Sequence, residues 1–247
     1  YFETGDFVLS DSYLSVIEAI KYSSYAVNRK PIISWLNAVD FEKSPAKLKE
    51  LKKYDGIIVP GGFGSRGVEG KLNVVKFARE NKIPYFGLCY GMQMMVIEYA
   101  RNVLGLKDAN TKEVNPNSKN LVIDVMESQK ENLQKNLYGG SMRLGGYKAI
   151  LEDKSIARMS YGRREIIERH RHRYEVNPLY IKKLEEKGFI FSGKSPDGSL
   201  MEIAELSKKE HPFFLGTQFH PEFLAHPLNP HPLFTAFIKA CVSNKKK

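Results

Sequence analysis

Apolar residues recur at helical or strand spacing along most of the chain. Between residues 56 and 103, two short apolar runs are each followed by a segment whose apolar residues share one helical face. The resulting order, strand, helix, strand, helix, indicates a parallel sheet. Further strands are predicted at 30–39, 121–125, 166–175, 189–192, 201–206 and 213–219, and further helices from Tyr13 onward and over 232–242.

The composition fits one α/β domain. The chain has 247 residues, 42% of them hydrophobic, which is enough for a substantial buried core. It contains no internal repeat and no low-complexity linker, so we expect residues 1–247 to form a single domain. Because the chain starts at Tyr1 rather than at methionine, we also expect it to be a piece of a longer protein.

Cysteine content and hydropathy argue against several classes of protein. Cys89 and Cys241 lie too far apart in sequence to suggest a disulfide framework, and no paired Cys/His spacing indicates a metal site. No apolar run approaches the roughly 18 residues that a membrane helix needs, and the start of the chain lacks the pattern of a secretion signal. We therefore expect a cytoplasmic protein with neither a metal nor a membrane partner.

Basic residues exceed acidic ones, 38 against 28, which gives a net charge of +10. Most of the excess is expected on solvated helix faces and in the tail 245–247. Only the segment 163–173, with five arginines, is dense enough to suggest a strand that binds nucleic acid. We favour an interpretation without nucleic acid, in which alternation along the strand turns some of these arginines inward as partners of Glu165, Glu168 and Glu175.

The motif Gly87-x-Cys89-x-Gly91 is the most informative stretch. An apolar strand runs into it and a helical pattern follows, as in a nucleophile elbow with cysteine in place of serine. The glycines permit a sharp turn, and the start of the helix favours a thiolate and can stabilise an oxyanion. A lone cysteine at a strand end is more often a packing residue. The glycines, the strand and the helix together favour a nucleophile.

A thiol nucleophile needs a base, and six histidines are candidates. His220 ends an apolar strand, where a parallel sheet presents functional residues, and Glu222 two residues later can orient its imidazole. His170 and His172 belong to the arginine-rich strand. The other three each precede a proline and are expected in exposed loops: His211, His226 and His231.

The order Cys89, His220, Glu222 resembles that of the class I glutamine amidotransferases. Three further blocks, at residues 60–67, 140–145 and 168–177, look like the glutaminase domain of the CTP synthase family. The resemblance runs from about residue 11 to the final helix. It implies an α/β fold with an open, mainly parallel twisted sheet and helices on both faces. It also implies that the chain hydrolyses the amide of L-glutamine and releases ammonia.

The resemblance also implies a role for each matching residue. Cys89 would be the nucleophile, His220 the proton shuttle and Glu222 the residue that positions it. Backbone amides of Gly62 and Tyr90 would form the oxyanion hole. An arginine suits the α-carboxylate of glutamine and a carboxylate suits its α-ammonium. The glutamine-binding positions are Gly62, Tyr90, Gln93, Glu113 and Arg173, and Phe63 matches a position on the effector side.

Two departures from the family pattern matter. The family usually has leucine after the nucleophile, whereas this chain has Tyr90, whose larger ring can narrow or reshape the pocket. The family's domain also begins with an apolar strand that we expect to be missing here, because Tyr1 aligns near its end.

The amidoligase domain that precedes the glutaminase domain in the family has no counterpart in this sequence. We therefore expect no cofactor in this chain, and ATP, Mg²⁺ and the effector GTP only in the full-length enzyme. There, by resemblance, ammonia would pass to a UTP-derived intermediate to give CTP. The partners implied are L-glutamine, the N-terminal amidoligase domain and further copies of the enzyme in a homo-oligomer, a tetramer.

Two alternatives keep the fold but change the function. Tyr90 could make the domain a catalytically silent regulatory module, or the chain could be a γ-glutamyl peptidase. The intact set of Cys89, His220 and Glu222 argues against the first, and the blocks around Arg143 and Arg173 argue against the second.

Overall fold

The computed structural model describes residues 2–3, 11–125 and 142–244. The predicted polar stretch 127–136 and the tail 245–247 lie outside these ranges. The helices are α1 (Leu14–Ala26), α2 (Ala38–Lys43), α3 (Val68–Glu80), α4 (Tyr90–Asn102), α5 (Ile156–Tyr161), α6 (Pro178–Glu185) and α7 (Pro232–Ser243), with 3-10 helices at Asp11–Tyr13, Pro45–Lys53 and Pro221–Leu224. The strands are β1 (Phe2–Glu3), β2 (Leu36–Asn37), β3 (Ile57–Val59), β4 (Tyr85–Leu88), β5 (Asn110–Thr111), β6 (Leu121–Val125), β7 (Arg143–Leu151), β8 (Glu165–His172), β9 (Tyr174–Val176), β10 (Ile190–Lys194), β11 (Met201–Glu205) and β12 (Phe214–Thr217).

Seven strands form the main sheet, in the order β3-β4-β12-β11-β10-β7-β8. Strand β4 pairs in parallel with β3 on one side and with β12 on the other. The four remaining pairings are antiparallel. The α/β class is confirmed, whereas the prediction of a mainly parallel sheet is wrong for the described strands. The prediction failed because it extended the pattern of residues 56–103 to the rest of the chain. In that range strands and helices alternate and the strands are parallel, but the alternation does not continue after residue 121.

Helices cover both faces of this sheet, as predicted. One core cluster contains residues of α2, α3, α4 and α6, and a second contains residues of α1, α5 and α7. Alternate residues of β3 enter the two clusters, with Ile57 and Val59 on one side and Ile58 on the other. A strand buried on both faces has no polar side to show, which explains the continuous apolar runs in the sequence.

A smaller sheet of three strands packs beside the main one, in the order β5-β6-β9. Strand β6 pairs in parallel with β5 and antiparallel with β9. Since β9 follows β8 after a single residue, the chain passes directly from the edge of the main sheet into the small one.

Several predicted elements differ from the observed ones. The strand expected over 30–39 is limited to Leu36–Asn37, because the Asn37 side chain accepts a hydrogen bond from the Val39 amide and caps α2 at that point. Helix α6 was not predicted, although Asn177 caps it in the same way and Pro178 occupies its first position. Within the described residues, every helix is too short or too polar to cross a membrane.

Candidate active site

Cys89 stands at the turn between β4 and α4, with φ of 49° and ψ of −97°. A positive φ is costly for a residue with a side chain, so the surrounding packing must hold it. Both flanking glycines are required by close approach of backbone. A Cβ at Gly87 would lie 2.6 Å from the carbonyl carbon of Gly91, and one at Gly91 would overlap the Val59 carbonyl oxygen. The sequence motif is therefore a steric requirement of this turn.

Strand β12 and the residue that follows it contact Cys89. The Cys89 amide donates to the carbonyl of Thr217 at 2.6 Å, and Nε2 of Gln218 lies 3.6 Å from Sγ. Since β12 pairs in parallel with β4, with Thr217 opposite Leu88, the carboxyl ends of both strands meet at this edge of the sheet. Sequence reasoning missed Gln218, although it lies two residues before His220 and so shares its side of an extended chain.

His220 follows β12, and Glu222 orients its imidazole as predicted for a base. Its Nδ1 lies 2.7 Å from Oε1 of Glu222, in the 3-10 helix Pro221–Leu224, and its ring stacks on Phe223 with 5.0 Å between ring centroids. Its amide donates to the carbonyl of Arg169 at 2.8 Å. On the other side, a Cβ at Gly61 would lie 2.7 Å from Cε1 of the imidazole. The ring is held by contacts on several sides.

The electrostatics of His220 favour its charged form. Burial by itself lowers the pKa of the imidazole, but the negative charges of Glu222 and Cys89, with hydrogen bonds to both side chains, raise that pKa well above its ordinary value. An imidazolium next to the sulfur stabilises a thiolate. The three predicted triad residues therefore form an arrangement suited to nucleophilic attack by sulfur.

A cavity of about 650 Å³ opens above the thiol. It is the size of a site for a small metabolite. All nine residues that the sequence nominated for the site line it, namely Gly62, Phe63, Cys89, Tyr90, Gln93, Glu113, Arg173, His220 and Glu222.

Two groups of opposite charge and one polar atom without a described partner line the cavity. Burial raises the pKa of Glu113, while a hydrogen bond from the Gly64 amide and the charge of Arg173 oppose that rise. Glu113 and Arg173 thus bring opposite charges to one cavity. Nε2 of Gln93 donates to the Tyr174 carbonyl at 3.2 Å, and among the described residues its Oε1 has no hydrogen-bond partner. A bound molecule can supply that partner.

Phe63 and Tyr90 occupy contrasting places on the cavity wall. Phe63 is 86% exposed, on the loop that follows β3. Tyr90 is only 1% exposed, because its ring turns under that loop and its hydroxyl donates to the carbonyl of Gly64 at 2.6 Å. The side chain that replaces the family's leucine therefore contacts the loop as well as lining the pocket.

The arginine-rich strand is arranged differently from the prediction. On β8 the inward positions are Ile166, Glu168, His170 and His172, and the arginines between them are exposed. The prediction that some of them form buried ion pairs is therefore wrong for Arg169 and Arg171. A strand has only two faces, and the alternation gives the inner one to the histidines.

Arg143, on the neighbouring strand β7, makes the buried ion pairs instead. Its guanidinium lies 2.8 Å from Glu202 and 3.7 Å from Glu175. His170 and His172 complete this buried cluster, with 2.8 Å between their facing ring nitrogens. Burial lowers the pKa of His170 to about 2 and that of His172 to about 3, aided by the nearby charge of Arg143. Both imidazoles are therefore neutral at physiological pH.

Two of the three histidines expected in exposed loops are buried. His211 contacts the Ala78 carbonyl at 3.2 Å, and burial lowers its pKa to about 4. His231 caps α7 and lies 3.0 Å from Glu168. His226 is exposed, as expected. Within the described ranges, no group of three or more His, Cys, Asp or Glu side chains is placed to hold a metal ion.

An α/β fold with Cys89 at a strand-to-helix elbow and a His–Glu pair just after the adjacent strand defines a hydrolase with a cysteine nucleophile. Comparison with known proteins narrows the class, since residues 8–240 match the family described as Glutamine amidotransferase class-I. The chain is 52% identical to CTP synthase of Sulfolobus acidocaldarius, covering 93% of this chain and 42% of that protein. It is 49% identical to CTP synthase of Methanocaldococcus jannaschii, covering 97% and 44%.

A solved structure agrees with these matches. The glutaminase domain of Trypanosoma brucei CTPS with bound acivicin has a TM-score of 0.89 and 36% identity, over 100% of this chain and 94% of that one. The chain belongs to the class I glutamine amidotransferases and, among them, to the glutaminase domains of CTP synthases. The predicted resemblance is confirmed. The chain spans less than half the length of the curated relatives that it matches.

Proposed function

We propose that this chain hydrolyses the side-chain amide of L-glutamine through a thioester on Cys89. The observation that carries the proposal is the convergence of Cys89, His220 and Glu222 with Glu113 and Arg173 on one cavity. The similar domain from T. brucei, with bound acivicin, supports it, because acivicin is a glutamine analogue. A hydrolytic triad and a pair of opposite charges together suit an amino-acid amide.

In the first half of the reaction, the Cys89 thiolate attacks the amide carbon and the carbonyl oxygen becomes an oxyanion. The backbone amides of Gly62 and Tyr90 would donate to that oxyanion. The His220 imidazolium then gives its proton to the amide nitrogen, the C–N bond breaks and ammonia leaves. Glu222 keeps the ring oriented and stabilises its charge through the 2.7 Å contact at Nδ1.

In the second half, a water molecule hydrolyses the glutamyl thioester. The neutral His220 accepts a proton from water as the oxygen attacks the thioester carbon, and the same backbone amides hold the new oxyanion. Collapse of this intermediate breaks the C–S bond, which releases glutamate and restores the thiolate beside the imidazolium.

Substrate selection would follow from two charged residues that line the cavity. Arg173 would bind the α-carboxylate of glutamine and Glu113 its α-ammonium group. Gln93 would contact the substrate through Oε1, the atom that lacks a partner among the described residues.

In the longer enzyme, the ammonia would aminate UTP to CTP in an amidoligase domain that uses ATP and Mg²⁺. This step and the tetramer rest on the family, and the cytoplasmic location rests on cysteine content and hydropathy; all three remain predictions. GTP would act as effector near Phe63, whose exposed ring lines the same cavity as Arg171 and Arg173, since an aromatic ring and guanidinium groups suit a purine nucleotide.

Glutamate and ammonia production by the purified chain, compared with Cys89→Ala and Cys241→Ala, tests the proposal. Cys241 is the matched control because it is the other buried free cysteine, and burial raises the pKa of its thiol well above the ordinary value. We expect Cys89→Ala to lose turnover and labelling by acivicin, and Cys241→Ala to retain both. Turnover that survives in Cys89→Ala would refute the mechanism. Equal cleavage of a γ-glutamyl dipeptide would point to a peptidase, and a folded but silent chain to a regulatory module.

A further inference from the structure

The loop Gly61–Gly64, which carries the proposed oxyanion donor Gly62, is held at its last residue from two sides. The Gly64 amide donates to Oε1 of Glu113 at 2.8 Å, and the Gly64 carbonyl accepts from the Tyr90 hydroxyl at 2.6 Å. Gly64 has a φ of 79°, which glycine adopts readily and other residues rarely do. Both backbone polar groups of this residue are therefore fixed by side chains from elsewhere in the chain.

The ring of Tyr90 supports the same loop through a second contact. A Cβ at Gly62 would lie 3.8 Å from Cδ1 of Tyr90, so the loop packs closely against the ring. The ammonium of Lys71 lies over that ring, 5.6 Å from its centroid, and donates to the carbonyl of Arg66 at 3.2 Å. Tyr90 thus connects the start of α4 to the segment between β3 and α3 at Gly62 and Gly64.

Leucine, the residue that the family usually has after the nucleophile, can fill this space but cannot donate a hydrogen bond. We propose that the Tyr90 side chain is a positioning residue that fixes the loop Gly61–Gly64, and with it the Gly62 amide, in the geometry that receives the oxyanion. Because the Tyr90 amide is the other proposed donor, one residue would set both halves of the oxyanion hole. The inference rests on the proposed glutaminase function.

The protonation of Tyr90 suits this role. Burial, and to a smaller extent the charge of Glu113, raises the pKa of its hydroxyl well above the ordinary value. The hydroxyl therefore stays protonated and remains a donor throughout the pH range in which the enzyme is assayed.

The positioning role predicts a specific kinetic effect of Tyr90→Phe, which removes only the hydroxyl. Loss of a direct oxyanion donor lowers kcat by about 100- to 1000-fold. Because the hydroxyl acts through the loop, we expect a smaller fall in kcat, about 10-fold, with KM for glutamine unchanged within about twofold. Alkylation of Cys89 by iodoacetamide, which forms no oxyanion, should keep its rate.

Tyr99→Phe is the matched control. Tyr99 lies on the same helix, is also buried, and donates its hydroxyl to the Lys187 carbonyl at the same distance of 2.6 Å, away from the cavity. Both variants lose an equivalent hydrogen bond, so a general loss of stability would affect them alike. Hydrogen exchange of residues 61–66 should accelerate in Tyr90→Phe and stay unchanged in Tyr99→Phe.

The outcomes separate this inference from the proposed function. If the unmodified chain makes no ammonia from glutamine, the function fails, and hydrogen exchange alone decides whether Tyr90 fixes the loop. Unchanged exchange at 61–66 in Tyr90→Phe would overturn the inference. So would a rise in KM at constant kcat, which would make the hydroxyl a substrate contact, or a parallel fall in alkylation of Cys89, which would mean that the elbow itself has moved.

Discussion

His220 lies between the Cys89 thiol and the Glu222 carboxylate, and both neighbours favour its protonated form. Its pKa is raised well above the ordinary value despite burial. The proposed reaction needs that proton, since the imidazolium protonates the departing nitrogen. Activity should therefore fall as the pH rises through the pKa of the folded protein's imidazolium, and Glu222 should decide where this occurs.

Glu222→Gln should move the alkaline limb of the kcat profile to lower pH by about one unit or more. An opposite charge within hydrogen-bond distance shifts a pKa by roughly 1–3 units, and the amide removes that charge while keeping the shape. The contribution of this imidazole to the free energy of unfolding should likewise decrease as the pH rises. A raised folded-state pKa stabilises the protein below the unfolded pKa of histidine, and this contribution is lost as the pH rises through the folded value.

Glu168→Gln provides the comparison, because Glu168 contacts His231 at 3.0 Å in a second buried His–Glu pair outside the cavity. We expect this variant to leave the alkaline limb in place. NMR titration of the His220 imidazole in each protein measures the pKa directly. An unchanged alkaline limb in Glu222→Gln would show that the rate does not depend on the charge of this pair.

For single residues, the sequence predicted a role where the neighbouring residues in the chain indicate it. Cys89 has its glycines and His220 has Pro221 and Glu222. Gln218 was missed because an amide beside a histidine carries no comparable signal, and its contact with Sγ exists only once β12 lies next to β4. His231 was placed wrongly because its partner Glu168 is 63 residues away in sequence.

Among the elements, the elbow depends on how closely α4 approaches the neighbouring strands. Gly91, in the first turn of the helix, packs against the carbonyl of Val59 on β3, and Gly87 on β4 packs against Gly91. Since β3 and β4 are adjacent parallel strands, one helix start meets both of their carboxyl ends. No side chain fits between Gly91 and Val59 or between Gly87 and Gly91.

Gly91→Ala should therefore lower glutaminase activity by about 100-fold, because displacement of a reacting group by about 1 Å can cost that much. Overpacking should also reduce the free energy of unfolding by about 1–3 kcal/mol. Gly146→Ala is the control, since among the described residues a Cβ there would meet only the Ile167 side chain, at 3.3 Å. Ammonia release and urea denaturation of both variants measure these effects. Near-normal activity in Gly91→Ala would mean that the elbow tolerates a shift of the helix.

The sequence predicted the elements around this elbow more accurately than those after residue 121. Over 56–103 the spacing of apolar residues predicted the correct type of each strand and helix, because buried parallel strands and amphipathic helices have distinct patterns of apolar residues. The antiparallel pairing of β7 with β8 could not be read in this way. Its register aligns Arg143 with His172, a choice fixed by burial of the charged cluster and not by local sequence.

Across the whole molecule, that buried cluster joins the two sheets. Arg143, His170 and His172 lie on β7 and β8 at one edge of the main sheet, Glu202 lies on its inner strand β11, and Glu175 lies on β9 of the small sheet. Burial raises the pKa of Glu202 to about 7, although Arg143 opposes that rise. The guanidinium of Arg143 is the cation that stabilises these buried carboxylates.

Arg143→Met should destabilise the chain by about 3–5 kcal/mol at neutral pH, because it leaves buried carboxylates without their cation. The loss should be larger at pH 9 than at pH 5. A carboxylic acid whose folded pKa is raised destabilises the fold as the pH rises above its unfolded pKa, and removal of Arg143 raises that folded pKa further. Adding Glu202→Gln should restore part of the stability and flatten its pH dependence.

The exposed pair Lys148–Glu165 on the same two strands tests whether burial is the cause. Its atoms lie 2.9 Å apart, but both side chains are more than half exposed, so Lys148→Met should change stability by less than about 1 kcal/mol at either pH. Thermal or urea unfolding at pH 5, 7 and 9 distinguishes the variants. If Arg143→Met lost equal stability at every pH, the arginine would contribute through packing of its side chain, and the link between the two sheets would not be electrostatic.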